Sequence, residues 1–193
     1  MTTLELAACV DPLPVIGVDI SPAVIENAQR FEAPNVTFVQ GSFTLPVRGA
    51  RLIRVMNVLR DGPPEAVAGA HAEMGASLLD GGLLIEGSCA PSGEVGAVHW
   101  VRKRPAGLVR EGLVMWLDGV RGMHPMAFRD RLPRDLRGDR RHPVYGVLAR
   151  WADALGQLPR SPERLTQAAA SIAGLTPIPI AGGLAYKLVW ASG

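Results

Sequence analysis

The chain has 193 residues and a formal net charge of +2, with 48% hydrophobic and 20% charged residues. This composition is typical of a globular protein, and the length suits a single domain over 1–193 with one core. No apolar run approaches the ~18 residues that a membrane span needs, and the N-terminus lacks a basic region followed by an apolar one. We therefore expect a cytoplasmic protein without a transmembrane helix or signal peptide.

The first predicted elements form a β-α-β unit. Val15–Val18 is a short apolar strand closed by Asp19, and Ser21 followed by Pro22 is a typical helix start. A second strand follows at Val36–Val39. The helical spacing predicts an inward face made of Val24 or Ile25, Ala28 and Phe31.

Two further strands and a helix continue the alternation. We predict a third strand at Leu52–Met56, a helix opening at Asp61–Pro64, and a fourth strand at Leu83–Gly87 after the turn Asp80–Gly82. The apolar face of this helix would carry Val67, Ala70, Met74 and Leu78. Near-continuous apolar strands joined by helices predict a doubly wound α/β fold, with a mostly parallel sheet covered on both faces.

The second half of the chain is less regular. Strand-like segments occur at Val98–Arg102 and Leu113–Leu117, whereas Met123–Asp139 is broken by proline and glycine. Helices are predicted at Val144–Leu155 and after Ser161, the latter with Leu165, Ala168, Ala169 and Ile172 in one stripe. The chain then closes with a hairpin of Thr176–Ile180, a turn at Gly182–Gly183, and Leu184–Trp190, which we expect to be the final sheet member.

Candidate binding residues follow the strands, because ligands of open α/β sheets bind outside the strands' carboxyl ends. These positions are Asp19–Ile20, Gly41–Phe43, Asn57 and Glu86–Cys89. A carboxylate at a strand tip can accept both hydroxyls of a ribose, which is one interpretation of Asp19. The equally weighted alternative is that Asp19 caps the next helix. Asn57 would border both cofactor and substrate, or act only as a turn residue.

Four segments in order, VIGVDISPAVIENAQ, NVTFVQGSF, LIRVMNVLRD and LLDGGLLIEGS, resemble the second to fifth strands of class I S-adenosylmethionine-dependent methyltransferases. The resemblance covers roughly Met1–Ser88, and the final hairpin stands where that family has its last two strands. It implies a Rossmann-like methyltransferase fold with a mostly parallel sheet and a C-terminal antiparallel hairpin. The cofactor-binding half would be 1–90 and the substrate-side half 91–193.

The resemblance also implies how S-adenosylmethionine would bind. Asp19 would hold the ribose hydroxyls, Ile20 would pack on the adenine, and Ser42 and Phe43 would lie beside the adenine edge, with Asn57 next to the cofactor. The family usually has an acidic residue where this chain has Ser42. Because a hydroxyl is a poorer acceptor for the adenine amino group than a carboxylate, we expect weaker adenine binding or a substituting carbonyl.

The family's first strand and its glycine-rich motif have no counterpart in the sequence. Such a loop lies about 20 residues ahead of the acidic strand tip, which here falls at or before Met1. Thr2–Cys9 is interpreted as the tail of the following helix, with Leu4, Ala7 and Ala8 facing inward. We favour a start assigned too far downstream over a truncated relic or a reorganised fold.

A parallel sheet without its middle strand would lose several buried hydrogen bonds at about 1–3 kcal/mol each, so the chain should be poorly stable. A partner chain could fill the vacant place, which leaves a homo-oligomer open.

Histidines and the remaining polar residues are weaker candidates. His71 is interpreted as a surface or core-edge residue rather than a base. Because His99, His124 and His142 lie far apart, neither a metal site nor a Ser/His/Asp set is predicted. Glu86 would face the substrate with Ser88, or pair with an arginine.

Cysteines and tryptophans are assigned to the interior. Cys9 and Cys89 lack the spacing of a zinc site or a disulfide framework, and we interpret both as buried small apolar residues. The tryptophans should form core or pocket wall; they are Trp100, Trp116, Trp151 and Trp190.

Arginine supplies 18 of the 20 basic residues, and six of these fall in the segment Arg129–Arg141, RDRLPRDLRGDRR. Three aspartates are interleaved with them, so we favour a solvated, self-paired surface. RNA binding through Arg129–Arg141 is the alternative.

These features together predict an S-adenosylmethionine-dependent methyltransferase acting on a small-molecule acceptor, and they leave open whether the chain as written is active. Methyl transfer from a sulfonium is an in-line displacement, so the protein mainly positions the acceptor and needs no strong base. The alternatives are a non-catalytic relic or binding module with the same fold, and an NAD-type Rossmann protein.

Overall fold

The computed structural model describes residues 2–118, 124–156, 161–180 and 183–189. The strands are β1 (Val15–Asp19), β2 (Val36–Gln40), β3 (Ala50–Met56), β4 (Leu78–Cys89), β5 (Val95–Arg104), β6 (Gly107–Asp118), β7 (Leu175–Ile180) and β8 (Gly183–Leu188). The helices are α1 (Thr3–Val10), α2 (Pro22–Gln29), α3 (Ala66–Gly75), α4 (Arg134–Arg137), α5 (Pro143–Leu155) and α6 (Pro162–Ala170), with a 3-10 helix at Pro125–Arg131. Among these helices, none is both long and apolar enough to cross a bilayer.

The strands form two sheets in a mixed α/β architecture. β1 and β2 make a parallel two-stranded sheet, and the other six strands follow the order β3-β4-β5-β6-β8-β7. In the larger sheet only β3 and β4 pair in parallel, whereas the other four strand pairs among the described residues are antiparallel. The prediction of a mostly parallel sheet is therefore wrong.

The antiparallel majority follows from the short connections around β5. β5 and β6 are joined through Pro105 and Ala106, and a parallel pair would need a crossover of a dozen or more residues. Both strands are longer than predicted, because the ladder continues through the charged residues next to the turn, and Glu111 of β6 lies 2.7 Å from Arg104 and 3.5 Å from Arg102 of β5. Charge at these positions marks a solvent-facing strand end rather than a loop.

The C-terminal hairpin is confirmed, with β7 and β8 antiparallel to one another. β8 lies between β6 and β7, so β7 rather than β8 is the edge strand. Of the residues predicted for this hairpin, Gly182 and Trp190 lie outside the described residues.

Helices are present where they were predicted, but the residues that they bury differ in part from the prediction. In α2 the buried residue is Ile25, whereas Val24 is 49% exposed, as is Phe31 beyond the end of the helix. In α1, Ala7 is buried, but Leu4 and Ala8 face solvent, contrary to prediction. α3 carries the predicted Val67, Ala70 and Met74 inward, whereas Leu78 is buried as part of β4.

Most of the core lies on one face of the six-stranded sheet. Leu84 on β4 pairs with Val101 on β5, and both pack with α3. Ala97 lies on the same face of β5 as Val101, because side chains alternate along a strand, and it packs with α5 and α6. The prediction placed helices on both faces, but α3, α5 and α6 all contribute to this one. The β1–β2 sheet has a separate cluster of three buried residues, Ala7, Val15 and Val36.

Both cysteines differ from their predicted environment. Cys9 is exposed on α1, and Cys89 is half-buried at the end of β4. Neither position is the fully apolar interior site that the sequence suggested.

Candidate functional site

The carboxyl ends of β1 and β2 lie side by side. The Gly41 amide donates to the Asp19 carbonyl at 2.9 Å, and Gln40 Nε2 donates to the Ile20 carbonyl at 3.1 Å. Asp19 is partly buried, and its Oδ1 accepts the amide of Ser21, the N-cap residue of α2, at 2.8 Å. Its Oδ2 has no hydrogen-bond partner among the described residues. One carboxylate oxygen therefore serves the fold, and the other is available at the strand tip.

The residues predicted to contact adenine lie in unlike surroundings. Ile20, next to Asp19, is 73% exposed and presents an apolar surface at the strand edge. Ser42 is exposed, whereas Phe43 is half-buried and packs against the cluster formed by α3, β3 and β4. The tip of β1 thus combines a carboxylate oxygen with an exposed aliphatic side chain, and Phe43 belongs partly to the core.

Asn57 ties the ends of β3 and β4 together. Its Oδ1 accepts the Cys89 amide at 2.9 Å, and its Nδ2 donates to Cys89 Sγ at 3.4 Å. Its backbone amide donates to the Gly87 carbonyl at 2.8 Å, and its φ is 61°, in the left-handed region. Asparagine tolerates this conformation better than most residues. The side chain therefore has a structural role at the strand edge.

Replacement of Asn57 separates its two structural contributions. Asn57→Ala removes the hydrogen bonds to Cys89 and strains the left-handed backbone, so we expect a loss of about 2 kcal/mol in the free energy of unfolding. Asn57→Gly loses only the hydrogen bonds, and its cost should be about 1 kcal/mol. Urea unfolding of both variants measures the difference. Equal stability of the two variants and the parent would show that the bonds to Cys89 contribute nothing.

A network of buried ionisable side chains crosses the interior of the larger sheet. His71 on α3 lies 3.2 Å from the Glu86 carboxylate on β4, and both are almost fully buried. His99 on β5, directly opposite Glu86 in the sheet, lies 2.6 Å from Asp135 Oδ1 on α4. Arg110 lies 2.8 Å from Asp135 Oδ2. The two imidazole rings meet edge to face with centroids 5.7 Å apart, which brings the two halves of the network into contact.

The charges in this network follow from burial and pairing. Burial lowers the pKa of His99, although the hydrogen bond to Asp135 acts in the opposite direction. Burial raises the pKa of Asp135, but the contacts with His99 and Arg110 outweigh it and hold that pKa well below its usual value. Asp135 is therefore an ionised carboxylate, and His99 resists protonation.

The geometry also selects the tautomer of His99. The ring is fully buried, and Nδ1 has no hydrogen-bond partner among the described residues. A neutral ring with its proton on Nε2 donates to Asp135 and leaves only an acceptor unpaired. A protonated ring would bury an Nδ1–H donor without an acceptor, which costs more.

This network was missed in the sequence. His71 is buried rather than at the surface, and Glu86 pairs with His71 instead of an arginine. The available signal was a polar residue at an inward position of an apolar strand: Glu86 follows Leu84 on one face, as His99 precedes Val101. Such a residue is almost always paired when buried. His124 and His142, by contrast, cap the 3-10 helix and α5 through Nδ1.

The arginine-rich segment is not simply a solvated surface. Phe128, Leu132 and Leu136 within it are buried in the main core cluster. Two of its arginines donate to backbone carbonyls of the loop after β3. The sequence predicted that charged side chains of the segment would pair with one another, and among the described residues Arg129 and Asp130 alone do so. The segment, which includes α4, is therefore attached both to the core and to the loop after β3.

The tryptophans are placed differently from one another. Trp151 is fully buried in the main cluster. Trp116 lies over Gly96 and donates to the Gly93 carbonyl at 2.9 Å, while the Lys187 ammonium lies 5.8 Å from the Trp100 ring centroid. The core assignment is confirmed for Trp151.

In comparisons with known proteins, no family model and no curated protein matches the chain. Among solved structures, a pericyclic reaction enzyme and LepI in complex with SAM are similar at a TM-score of 0.39, with 16% and 15% identity. Each alignment covers 97% of this chain and 39% of the other, so the chain spans less than half of their length. SAM-bound CalS10, an amino pentose methyltransferase from Micromonospora echinaspora, is similar at a TM-score of 0.35 and 17% identity, over 96% of this chain and 78% of that chain. At such low TM-scores we assign neither fold nor activity from these likenesses.

Proposed function

We propose that the chain is part of a class I S-adenosylmethionine-dependent methyltransferase and that Asp19 holds the cofactor's ribose. The observation that carries this proposal is the tip of β1. There Asp19 Oδ2 has no partner among the described residues, beside the exposed Ile20 side chain. A carboxylate oxygen next to an apolar surface suits a nucleoside, whose ribose hydroxyls donate while its base packs on the side chain.

The remaining predicted contacts fit the cofactor unequally. Ser42 is exposed beside the tip of β2 and offers a hydroxyl to the adenine edge, while Phe43 would reach that edge only with the part of its ring outside the core. The Asn57 amide is already engaged by Cys89, so it would border the cofactor without donating to it. When bound, S-adenosylmethionine would supply the transferred methyl group, and these residues would hold its nucleoside end.

We further propose that a parallel strand and glycine-rich loop, supplied from outside residues 1–193, lie between β1 and β3. Within the part of the chain that the structure describes, each of these strands has one hydrogen-bonded neighbour and is parallel to it. A strand between them would unite the two sheets and cover the unpaired backbone groups of both. Ligands of doubly wound sheets bind where the strand order reverses, and this place is next to Asp19.

The acceptor is proposed to be a small molecule rather than RNA. Arg134 Nε donates to the Gly62 carbonyl at 2.6 Å, and Arg137 donates to the Arg60 carbonyl. These two arginines are therefore engaged within the domain and are poorly placed to bind phosphates. Since His71, Glu86 and His99 are at most 5% exposed, none of them can reach an acceptor as a base. An in-line methyl transfer that depends on positioning is compatible with this arrangement.

An NMR titration of the 193-residue chain with S-adenosylhomocysteine tests the ribose assignment. We expect weak binding, near 1 mM or about −4 kcal/mol, because the methionine end lacks its loop. The amide shifts should move at residues 18–21 and 41–43. Asp19→Ala should weaken binding at least tenfold, since it removes a charge-assisted hydrogen bond worth about 1.5–3 kcal/mol.

Two controls make the titration decisive. Asp80→Ala removes an exposed carboxylate near the start of β4 and should leave the affinity unchanged. NAD is the comparison ligand. Tighter binding of NAD than of S-adenosylhomocysteine would favour the NAD-type alternative. Saturation with no shift at residues 18–21 would exclude Asp19 from the site, and no binding of either nucleotide at several times 1 mM would favour the non-catalytic module.

A further inference from the structure

The short helix α4 lies between the larger sheet and the loop that follows β3. On the loop side, Arg134 Nε donates to the Gly62 carbonyl at 2.6 Å and Arg137 donates to the Arg60 carbonyl. The Tyr145 hydroxyl of α5 donates to the Arg137 carbonyl at 2.8 Å, and Leu136 is buried. α4 thus holds two backbone carbonyls of a loop that begins at the strand edge, next to Asn57.

On the sheet side, α4 is held through Asp135. Its two carboxylate oxygens are divided between His99 Nε2 at 2.6 Å and Arg110 at 2.8 Å. His99 is fully buried, whereas the Asp135 side chain is 21% exposed. The Asp135 carboxylate therefore links β5 and β6 to α4, the helix whose arginines are hydrogen-bonded to the loop after β3.

We propose that Asp135 is a positioning residue that docks α4 on the sheet through neutral His99, and that protonation of His99 releases α4 and the loop Arg60–Gly62 from the strand edge. The docked arrangement needs the neutral ring, because Nδ1 has no acceptor among the described residues when it carries a proton. In the released arrangement, water can hydrate the second ring nitrogen. Docking and protonation of His99 therefore oppose each other.

The groups that face this contact come from five elements. His99 faces Asp135 on α4, Arg110 on β6, Glu86 on β4 and the His71 ring on α3, and Asp135 also faces His142 at the start of α5. Burial and Arg110 disfavour the protonated ring, whereas Asp135 and Glu86 favour it, and the balance leaves the pKa of His99 below its usual value. The ring is therefore neutral in the docked state near neutral pH.

The direction of the pH effect follows from this lowered pKa. Well above about pH 6.5 neither state of His99 is protonated, and the ratio of released to docked protein no longer changes with pH. As the pH falls below that value, only the released state takes up the proton, so the ratio of released to docked protein rises by up to about tenfold per pH unit. The rise stops once the pH reaches the lowered pKa of the docked ring.

Hydrogen–deuterium exchange of the 193-residue chain between about pH 5 and 8 tests the proposal, with rates corrected for the intrinsic pH dependence of exchange. Protection of the hydrogen-bonded amides of the loop and of α4, those of Gly62, Leu136 and Arg137, should fall below about pH 6.5, by up to about tenfold per unit, while the centres of β5 and β6 stay protected. His99→Gln keeps an amide donor for Asp135 but cannot titrate, so its protection should not change with pH. Asp135→Asn should weaken protection of the loop at every pH.

Two further variants separate this effect from general acid instability. His71→Gln removes the other buried imidazole and should keep the pH dependence of the parent chain. Asp130→Asn alters an exposed carboxylate of the same segment and should leave both protection and its pH dependence unchanged. Loop protection that is constant over the pH range, or a pH dependence that persists in His99→Gln, would overturn the proposal. The experiment needs no cofactor, so its outcome is independent of the proposed methyltransferase function.

Discussion

Trp151→Ala is expected to lower the free energy of unfolding by about 3–5 kcal/mol, the usual cost of truncating a fully buried tryptophan. The Trp151 ring stacks on Phe128 at 5.7 Å and meets Tyr186 edge to face at 4.6 Å, and its Nε1 donates to the Leu165 carbonyl at 3.1 Å. It therefore joins α5 to the 3-10 helix, to β8 and to α6. Alanine would leave a cavity where these elements meet.

Urea unfolding followed by far-ultraviolet circular dichroism measures this loss, with two comparison variants. Trp151→Phe keeps a ring in the cavity and loses the hydrogen bond to Leu165, so its cost should be about 1–2 kcal/mol. Val109→Ala truncates a side chain that is 47% exposed and should change stability by no more than about 0.5 kcal/mol. A cost below about 1 kcal/mol for Trp151→Ala would mean that the main cluster is not close-packed.

Gly87→Ala is expected to cost about 3 kcal/mol or to prevent folding, because a side chain has no room at this position. A Cβ on Gly87 would lie 2.1 Å from the Ala97 carbonyl oxygen and 2.8 Å from Val98 Cα. β4 is hydrogen-bonded on both sides, to β3 through Met56 and to β5 through Val98, so the strand cannot shift without breaking one of the two pairings. The whole clash must therefore be relieved within the sheet.

Gly69→Ala is the matched control for this substitution. Gly69 lies within α3 and is exposed, and apart from its chain neighbours and the backbone of its own helix nothing lies within 4 Å of an added Cβ. Alanine there should raise the free energy of unfolding by about 0.5–1 kcal/mol through helix propensity. Thermal and urea unfolding of the two variants should thus move in opposite directions. Similar effects of both substitutions would show that β4 and β5 can separate to admit a methyl group.

Local sequence patterns predicted an element well where the residues that define it are close together in the sequence. Ser21 and Pro22 begin α2 as expected, because capping depends only on neighbouring amides. The apolar stripe of α6, which begins at Leu165, is buried because the residues at helical spacing all face the core. The errors arose where one residue type suits two settings: Phe31 continues an apolar spacing but lies past the end of α2 and faces solvent.

Hydrophobic periodicity along the chain could not predict the direction of the strands or which face of the sheet the helices cover. An apolar run can pair in parallel or antiparallel, and only the length of the connection decides between them. The turn through Pro105 and Ala106 was overlooked because charged residues flank it, so β5 and β6 appeared too short to form a hairpin. At the candidate site, the strand-tip position of Asp19 could be predicted, but only the structure shows that one carboxylate oxygen accepts the Ser21 amide while the other has no partner among the described residues.

By itself, the sequence determined the order of the strands along the chain, the starts of α2 and α6 at Ser21 and Ser161, and the place of Asp19 at a strand tip, since these depend on residues within a few positions of one another. The tertiary structure alone decided which polar groups are paired in the interior. His71 meets Glu86 across 15 positions and His99 meets Asp135 across 36, and each pair forms because a charge or imidazole in a dry core must find a partner wherever the fold supplies one. The spacing of residues along the chain does not predict such contacts.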